Sequence, residues 1–153
     1  MPYTIQIDTA VPQLKAGNKE QVLRALAQKA SFVTGCSEDL LFARLCEQEQ
    51  QSSSEIGDGV AVAHFKTPAV SGRYVGLATL KNPIKFSAAD EQDVDLVCIL
   101  ISPEDHGGLH LRGLSRISRA FKNEDLCYKL RDAKDEETMQ SLFENPDGWL
   151  LAA

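Results

Sequence analysis

The stretch Glu55-Ile-Gly-Asp-Gly-Val-Ala-Val-Ala-His-Phe65 says more about this chain than any other. Its Gly-Asp-Gly triplet predicts a tight turn, and the apolar residues that follow predict a short strand from Val60 to Val62. His64 stands where we expect that strand to end. A strand fixes the backbone while its end leaves a side chain accessible, so functional residues are common there. A histidine taken alone, however, is more often a half-buried imidazole without a special role.

A second histidine strengthens the functional interpretation, because His110 opens a helical pattern further along the chain. A neutral imidazole is a good nucleophile near pH 7 and a poor resting place for charge, so it can accept a phosphoryl group and pass it on. Such chemistry needs a fixed tautomer, donors to the phosphoryl oxygens and exclusion of water. The backbone amides of Gly57, Asp58 and Gly59 are the predicted donors beside His64.

A metal site is the competing chemical interpretation. His106 and His110 have the spacing of neighbours on one helix face, and His64 would supply a third nitrogen ligand. Gly107 and Gly108 between them disfavour a regular helix, and no His-Glu-x-x-His pattern occurs. A serine hydrolase is favoured even less, because the Gly-x-Ser-x-Gly motif is missing. We therefore expect neither a metal nor another cofactor.

Composition restricts the class of protein. A length of 153 residues with 43% hydrophobic content predicts one domain over residues 1–153. No apolar run approaches the roughly 20 residues that cross a bilayer, and the N-terminus shows no export signal, so we expect a cytoplasmic protein without membrane insertion. A net charge of -6 disfavours a nucleic-acid partner. Arg112, Arg116 and Arg119 share one predicted helix face, which we interpret as solvated and mixed with nearby acids.

The order of predicted elements indicates an α/β fold. An extended lead-in comes first, and Gln48–Ser54 is predicted to be a turn after two helices. Asn18 and Asn123 are predicted to cap helices, and Ser37 and Asp135 are predicted to begin two others. Strands are predicted at Tyr74–Leu80, Ile84–Phe86 and Val94–Ile101, and the helical period then returns over Leu109–Phe121. The expected architecture is a single-domain layered sandwich, with a central mixed and mostly buried sheet flanked by helices.

Three segments, in order, carry a family resemblance. Ile56-Gly-Asp-Gly-Val-Ala-Val-Ala-His64 resembles the signature Gly-Ile-Gly-x-Gly-Ile-Ala-Ile-Pro-His. Pro83–Asp90 with Val94–Val97 resembles Pro-Ile-x-Phe-x-Ala-x-Asp followed by Val-Asp-Leu, and His110–Ser118 resembles a His-Leu-x-x-Leu helix. These are blocks of the enzyme IIA family of mannitol/fructose type, in the bacterial phosphoenolpyruvate:sugar phosphotransferase system. The resemblance extends over nearly the whole chain.

The resemblance implies the mannitol-type IIA fold and a phosphorylatable His64 with His110 beside it. The phosphoryl group would arrive from a histidine-containing phosphocarrier protein. It would leave to a IIB domain or, in regulatory members, the protein would act on targets such as kinases and transporters. We expect no fused IIB or membrane IIC portion, so stand-alone nitrogen-regulatory IIA proteins are the expected closest kin. A sugar-specific soluble IIA component and a non-phosphorylated binding module that regulates partners remain alternatives.

Three positions depart from the family pattern. Gln48 stands where members carry an arginine, so a guanidinium that would offset phosphoryl charge is missing. Glu55 replaces a glycine and adds a negative charge, while Ala63 replaces a proline and loosens the backbone before His64. Arg44 lies one helical turn before Gln48 and is the candidate replacement cation. The expected phosphoryl-binding set therefore includes Gln48 and Arg44, and the expected phosphotransfer activity is weak.

Overall fold

A computed structural model describes residues 5–86 and 92–145 of the chain. In this part of the chain, five strands form one mixed sheet in the order β1-β4-β5-β3-β2. The strands are β1 (Thr9–Leu14), β2 (Glu55–Gly57), β3 (Val60–Thr67), β4 (Tyr74–Ile84) and β5 (Val94–Pro103). The helices are α1 (Lys19–Thr34), α2 (Glu38–Gln51), α3 (Gly107–Phe121), α4 (Glu124–Asp132) and α5 (Glu136–Glu144). The predicted α/β class, with a mixed sheet between helices, is confirmed.

Strand β5 is the centre of the fold. It pairs in parallel with β3 and antiparallel with β4, and its residues from Leu96 to Ile101 are fully buried. Alternate side chains of a strand point to opposite faces, so β5 contributes to two apolar cores. Leu96, Cys98 and Leu100 pack on the side of α3, α4 and α5. Val97, Ile99 and Ile101 pack on the side of α1 and α2.

The helix ends follow the predicted capping residues. Four residues cap helices through side chains that each accept a hydrogen bond from the backbone N–H three residues later: the predicted caps Asn18 and Asn123, and the predicted helix starts Ser37 and Asp135. Each such cap stabilises a helix by about 1 kcal/mol. Gly35 ends α1 with φ 77, a left-handed conformation that glycine adopts without steric cost. Local sequence thus fixes where these helices begin.

Two strands are longer than the sequence predicts. Strand β3 does not end at His64 but continues to Thr67, because its parallel pairing with β5 runs on to Pro103. Strand β4 runs past the predicted end at Leu80 as far as Ile84, so it contains only the first residue of the predicted strand Ile84–Phe86, and the rest of that prediction is wrong. A register shift after Thr79 lets its pairing with β5 resume at Ile84, beyond a proline that cannot donate to a ladder.

Two helices are also longer than predicted. Helix α2 includes Gln48 and runs to Gln51, so the predicted turn begins four residues later, at Ser52. Helix α3 begins at Gly107 and also contains Gly108, although this pair of glycines was expected to disfavour a regular helix. Glycine in a first turn lowers helix stability modestly, and packing against the sheet exceeds such local costs.

Some expectations fall outside the described residues. The second family-like block includes Ala88, Ala89 and Asp90, and residues 87–91 are not described. Within the described ranges, none of the helices combines the length and apolar character that a bilayer span requires.

Leu96→Ala should lower the free energy of unfolding by about 2–5 kcal/mol, because it removes a buried side chain from the core beneath α4 and α5. Leu96 is 0% exposed, whereas Leu111 on α3 is 64% exposed. The matched variant Leu111→Ala should change stability by less than about 0.5 kcal/mol. Urea unfolding followed by circular dichroism measures both. Equal losses in the two variants would contradict this description of the core.

Candidate functional site

His64 lies in the second half of β3. It shares a face of the strand with Val62, which packs in the core covered by α3. Strand β2 pairs with the first residues of β3 only, at Val60 and Ala61. The last backbone hydrogen bond on that side runs from the Val62 N–H to the Ser54 carbonyl. Beyond it, β3 has no neighbouring strand on that side among the described residues. His64 is therefore half-buried and remains accessible although it is inside a strand.

His110 lies against His64, although the two are 46 residues apart in sequence. His64 Nδ1 and His110 Nε2 are 3.0 Å apart, which is a hydrogen-bond distance, and the ring centroids are 5.2 Å apart. Strand β5 lies beside β3, and α3 follows β5 and packs back over β3. That crossover places the first turns of α3 above the end of β3, so the two imidazoles meet.

Ser102 completes a chain of three side chains. Its hydroxyl oxygen is 2.7 Å from His110 Nδ1, and the serine is fully buried near the end of β5. Both nitrogens of His110 are therefore occupied, and Nε2 of His64 is the one ring nitrogen of the pair without a hydrogen-bond partner among the described residues. Two tautomer patterns satisfy this geometry, because protons can point from Ser102 towards His64 or in the reverse direction.

The protein environment favours the neutral form of both imidazoles. Burial lowers the pKa of His64. The pKa of His110 is lowered to about 4, first by burial and then by electrostatic repulsion from His64, Lys66 and His106. A neutral histidine pair keeps a nitrogen lone pair available at neutral pH and below.

A small cavity opens beside His64, with a volume of about 160 Å³. This is several times the roughly 30 Å³ that one water occupies in the liquid, so a phosphoryl group fits. Its lining combines an amide, hydroxyls and apolar groups with the imidazole: Gln48, Ser52, Ser53, Ser54, Ile56, Val62, His64, Leu114 and Ser118. No acidic, lysine or arginine side chain is among these lining residues.

The serine loop of the cavity is held by a buried carboxylate. Glu49, whose side chain is 4% exposed, accepts hydrogen bonds from the Ser54 N–H at 3.0 Å and from the Ser54 hydroxyl. Its other oxygen pairs with the Lys19 ammonium at 3.1 Å. The Ser54 hydroxyl is thus committed to Glu49. The side chains of Ser52 and Ser118 have no hydrogen-bond partner in the part of the chain that the structure describes, so their hydroxyls can donate into the cavity.

The glycine turn is not near His64, which corrects the sequence-based prediction for Gly57, Asp58 and Gly59. The turn has the predicted tight geometry, with all three residues at positive φ. It lies at the opposite end of β3, and the four residue-to-residue steps from Val60 to His64 span roughly 13 Å in an extended strand. Arg131 of α4 holds the turn there by donating to the Asp58 carbonyl at 2.7 Å. The turn amides therefore cannot reach a group on His64.

Arg44 and Gln48 behave differently, although both lie on α2. Gln48 lines the cavity, whereas Arg44 does not. The Arg44 guanidinium lies 5.1 Å from the Phe65 ring centroid, donates to the Lys66 carbonyl at 3.4 Å and pairs with Glu47. Phe65 belongs to the core under α1 and α2, on the face of the sheet opposite His64. The predicted replacement of the missing cation by Arg44 is therefore absent from this structure.

The sequence analysis missed Ser102 and three serines of the cavity lining: Ser52, Ser53 and Ser118. For Ser52 and Ser53 a signal existed, because they lie between Gln48 and Glu55, two positions that the family resemblance had already singled out. Ser118 lies two turns after His110 on α3, but the sequence alone does not indicate which helix face meets the cavity. From the sequence alone, Ser102 is only a polar residue just after the predicted strand Val94–Ile101. Its contact with His110 depends on how α3 returns over the sheet.

The two other departures from the family pattern, Glu55 and Ala63, can also be located in the structure. Ala63 is buried on the face of β3 away from His64, and Glu55 begins β2 without lining the cavity. His106 precedes α3 as its N-cap. Among the described residues, no three histidine, cysteine or acidic side chains are grouped closely enough to hold a metal ion.

A comparison with protein families identifies the family of this chain. The model of the family described as "Phosphoenolpyruvate-dependent sugar phosphotransferase system, EIIA 2" matches residues 4–145. The chain belongs to this family. Members are components of a phosphotransferase system, so the resemblance seen in the three sequence blocks is confirmed.

Similar proteins agree with this EIIA 2 assignment. A nitrogen regulatory protein from Bradyrhizobium diazoefficiens is 36% identical over 148 residues, which cover 95% of this chain and 97% of the relative. The structure of nitrogen regulatory protein IIA-Ntr from Neisseria meningitidis superposes with a TM-score of 0.80 at 23% identity, covering 88% of this chain and 91% of the other. Mannitol enzyme IIA from Escherichia coli, solved in complex with phosphorylated enzyme IIB, has a TM-score of 0.74 at 16% identity, covering 88% and 92%. These two structures share the fold.

The EIIA 2 protein should lose stability between pH 6.5 and pH 4 partly through His110. A histidine titrates near 6.5 in the unfolded chain, but the pKa of His110 in the folded protein is about 4. In this window the unfolded state binds a proton that the folded state does not, so the free energy of unfolding falls as the pH falls. His110→Gln should flatten that slope in urea unfolding at several pH values. Identical slopes in variant and wild type would contradict a neutral, buried His110.

Proposed function

We propose that this EIIA 2 protein, acting as one unit over residues 1–153 in the cytoplasm, carries a phosphoryl group on Nε2 of His64. The group would come from a histidine-containing phosphocarrier protein, and the protein would act mainly in nitrogen or metabolic regulation. One observation carries the proposal. His110 holds Nδ1 of His64 at 3.0 Å beside a cavity of phosphoryl size, which leaves Nε2 as the available nucleophile.

The hydrogen-bond chain would select the reactive tautomer. If Nδ1–H of His64 donates to His110 Nε2, then His110 Nδ1–H must donate to the Ser102 oxygen. Nε2 of His64 then carries a lone pair. Ser102 and His110 are thus positioning residues: they orient the His64 ring but do not themselves attack phosphorus.

The phosphoryl transfer from the donor histidine to His64 needs no additional proton. The Nε2 lone pair of His64 attacks phosphorus in line, while the nitrogen–phosphorus bond of the donor phosphohistidine breaks and its electron pair returns to the donor ring. The His64 ring gains positive charge as the new bond forms. Its Nδ1–H then donates more strongly to His110 Nε2, 3.0 Å away, so the pair stabilises the phosphorylated state. Passing the group on reverses these steps.

Neutral donors would bind the phosphoryl oxygens. Hydroxyls of Ser52, Ser53 and Ser118 and the Gln48 amide line the cavity, and none of them brings a positive charge. Hydrogen bonds from charged donors are roughly twice as strong as neutral ones. We therefore infer that the phosphorylated form is less stabilised than it would be with an arginine at position 48, and that phosphorylation is slow.

The proposed regulatory role is supported by sequence similarity. The Bradyrhizobium diazoefficiens relative, 36% identical over almost its whole length, is a nitrogen regulatory protein. Targets of such regulation would be proteins such as kinases or transporters. A sugar-specific role with transfer to a IIB domain is the second candidate, and it is supported by the shared fold with a mannitol enzyme IIA that was solved with phosphorylated enzyme IIB.

Incubation with phosphoenolpyruvate, enzyme I and the cognate phosphocarrier should add one acid-labile phosphoryl group, visible by intact mass. His64→Ala should abolish this adduct, because it removes the nucleophile, and His110→Ala should slow its formation by roughly tenfold or more, in line with a group that assists at a distance of one hydrogen bond. His106→Ala serves as the control and should behave as the wild type. An unmodified wild type would refute the carrier role, and an adduct that survives His64→Ala would move it to another residue.

Ser102→Ala should slow phosphorylation by a few-fold to about tenfold, since a buried His110 Nδ1–H loses its acceptor and the opposite tautomer becomes populated. The serine on the outer side of the same helix as His110, Ser115, is exposed. Ser115→Ala is the matched control, with no expected change. Rapid-quench measurement of the phosphorylation rate as a function of pH distinguishes tautomer control from simple loss of stability. A Ser102→Ala rate equal to that of the control would exclude this relay.

A further inference from the structure

One largely buried ion pair lies behind the cavity beside His64. It joins Glu49, in the last turn of α2, to Lys19, at the start of α1, with 3.1 Å between Glu49 Oε2 and Lys19 Nζ. The Glu49 side chain is 4% exposed and that of Lys19 is 30% exposed. Glu49 is not one of the residues that line the cavity. Its carboxylate can therefore act on the cavity only through other residues.

A buried carboxylate needs a physical reason. The attraction within a buried ion pair often fails to offset the loss of hydration of its two charges, and apolar residues of similar volume are often at least as stabilising. Stability alone therefore explains Glu49 poorly. A buried polar network in which every member has a partner holds the groups around it in one arrangement. The groups that bond to Glu49 indicate which arrangement is held.

All the hydrogen-bonding groups of Ser54 are engaged. Glu49 Oε1 accepts from the Ser54 N–H at 3.0 Å and from the Ser54 hydroxyl. The Ser54 carbonyl accepts from the Val62 N–H at 2.8 Å. Val62 lies two residues before His64, on the same face of β3. Ser54 thus ties the serine loop, residues 52–54, to α2 on one side and to the strand of the nucleophile on the other.

The two serines before this anchor bring their side chains to the cavity. Ser52 and Ser53 line it together with Ser54. Ser52 is the C-cap of α2, and its N–H donates to a carbonyl of that helix at 3.0 Å. The helix therefore fixes one end of the loop, and Glu49 fixes the other. Without Glu49, the loop would be free at its Ser54 end, and the hydroxyls of Ser52 and Ser53 would lose their fixed position.

We propose that Glu49, with Lys19 as its counter-ion, is a positioning residue for phosphoryl transfer, which holds the Ser52 and Ser53 hydroxyls where they meet the phosphoryl oxygens on His64. This inference rests on the proposed function and deepens it. The negative charge of Glu49 by itself disfavours a phosphoryl group nearby. Its benefit is geometric, because donors that are already in place need no reordering during the transfer.

Glu49→Ala should lower the maximal rate of His64 phosphorylation roughly tenfold, because Ser54 loses the acceptor that fixes it. Glu49→Gln should restore the rate to within about threefold of wild type, since an amide oxygen accepts the same hydrogen bonds, although more weakly. Rapid-quench measurements at several concentrations of the phosphorylated phosphocarrier give the maximal rate and the half-saturating concentration. The half-saturating concentration should stay within about twofold, because a side chain that is 4% exposed does not contact the partner.

A double-mutant cycle distinguishes positioning from a general loss of stability. The second variant, Ser52→Ala with Ser53→Ala, removes the hydroxyls through which Glu49 is proposed to act. Adding Glu49→Ala to this variant should slow phosphorylation by less than about twofold, because the effects of residues that act as one unit are not additive. A change that only unfolded part of the protein would cost the same factor in both backgrounds.

Another ion pair between α1 and α2 provides a matched control. Arg24 of α1 pairs with Glu38 and Asp39 of α2, and none of these three residues lines the cavity. Lys19→Met and Arg24→Met therefore each remove an α1 cation from an α2 carboxylate. Lys19→Met should slow phosphorylation several-fold, since Glu49 loses the partner that holds its carboxylate. Arg24→Met should leave the rate unchanged.

Inorganic phosphate, used as a probe, separates failure of this inference from failure of the proposed function. It should shift the amide NMR signals of residues 52–54 in the wild type, and it should bind several times more weakly to Glu49→Ala. If the wild type is phosphorylated, an equal rate in Glu49→Ala, or an equal loss in both serine backgrounds, would overturn the positioning role. If the wild type is not phosphorylated, the carrier role fails and the phosphate titration decides. Equal affinities, or no binding to either protein, would then overturn the positioning role as well.

Discussion

The hydrogen bond between His64 and His110 is the contact on which the site depends. Its 3.0 Å length requires that β3 and β5 run in parallel at a fixed register and that α3 returns over the end of β3. Ser102, at the end of β5, then orients the far side of His110. The fully buried strand β5 thus serves two purposes, because it holds the two cores together and supplies one residue of the relay. A shift of β3 by one residue would turn His64 towards the opposite core.

Electrostatics divides the functional surface into two parts. Around His64 the cavity is lined by neutral groups, and the nearest buried acid, Glu49, is balanced by Lys19 and occupied by Ser54. Outside the cavity, Arg112, Arg116 and Arg119 of α3 make no ion pair with the residues that the structure describes. A neutral cavity avoids the cost of burying an unpaired charge when the site is empty.

Much of the local structure could be predicted from individual residues. Asn18, Ser37, Asn123 and Asp135 cap helices as expected, because a cap depends on the side chain and the next three residues only. Predicted ends failed where pairing or packing continued an element, as in β3 beyond His64 and α3 from Gly107. The glycine turn was read correctly as a turn but wrongly as a neighbour of His64. Sequence proximity of a few residues becomes a long distance when the chain is extended.

By itself, the sequence determined the α/β class, the family and the two histidines of interest, because periodicity, capping and motif residues act over short spans of chain. Only the tertiary structure decided which groups surround His64. It placed Ser52, Ser53 and Ser118 in the cavity, took Arg44 to the opposite face of the sheet and gathered Arg73 with the arginines of α3. Such groupings depend on strand register and on the path of a helix over a sheet. Contacts between distant segments set both, so no single stretch of sequence contains them.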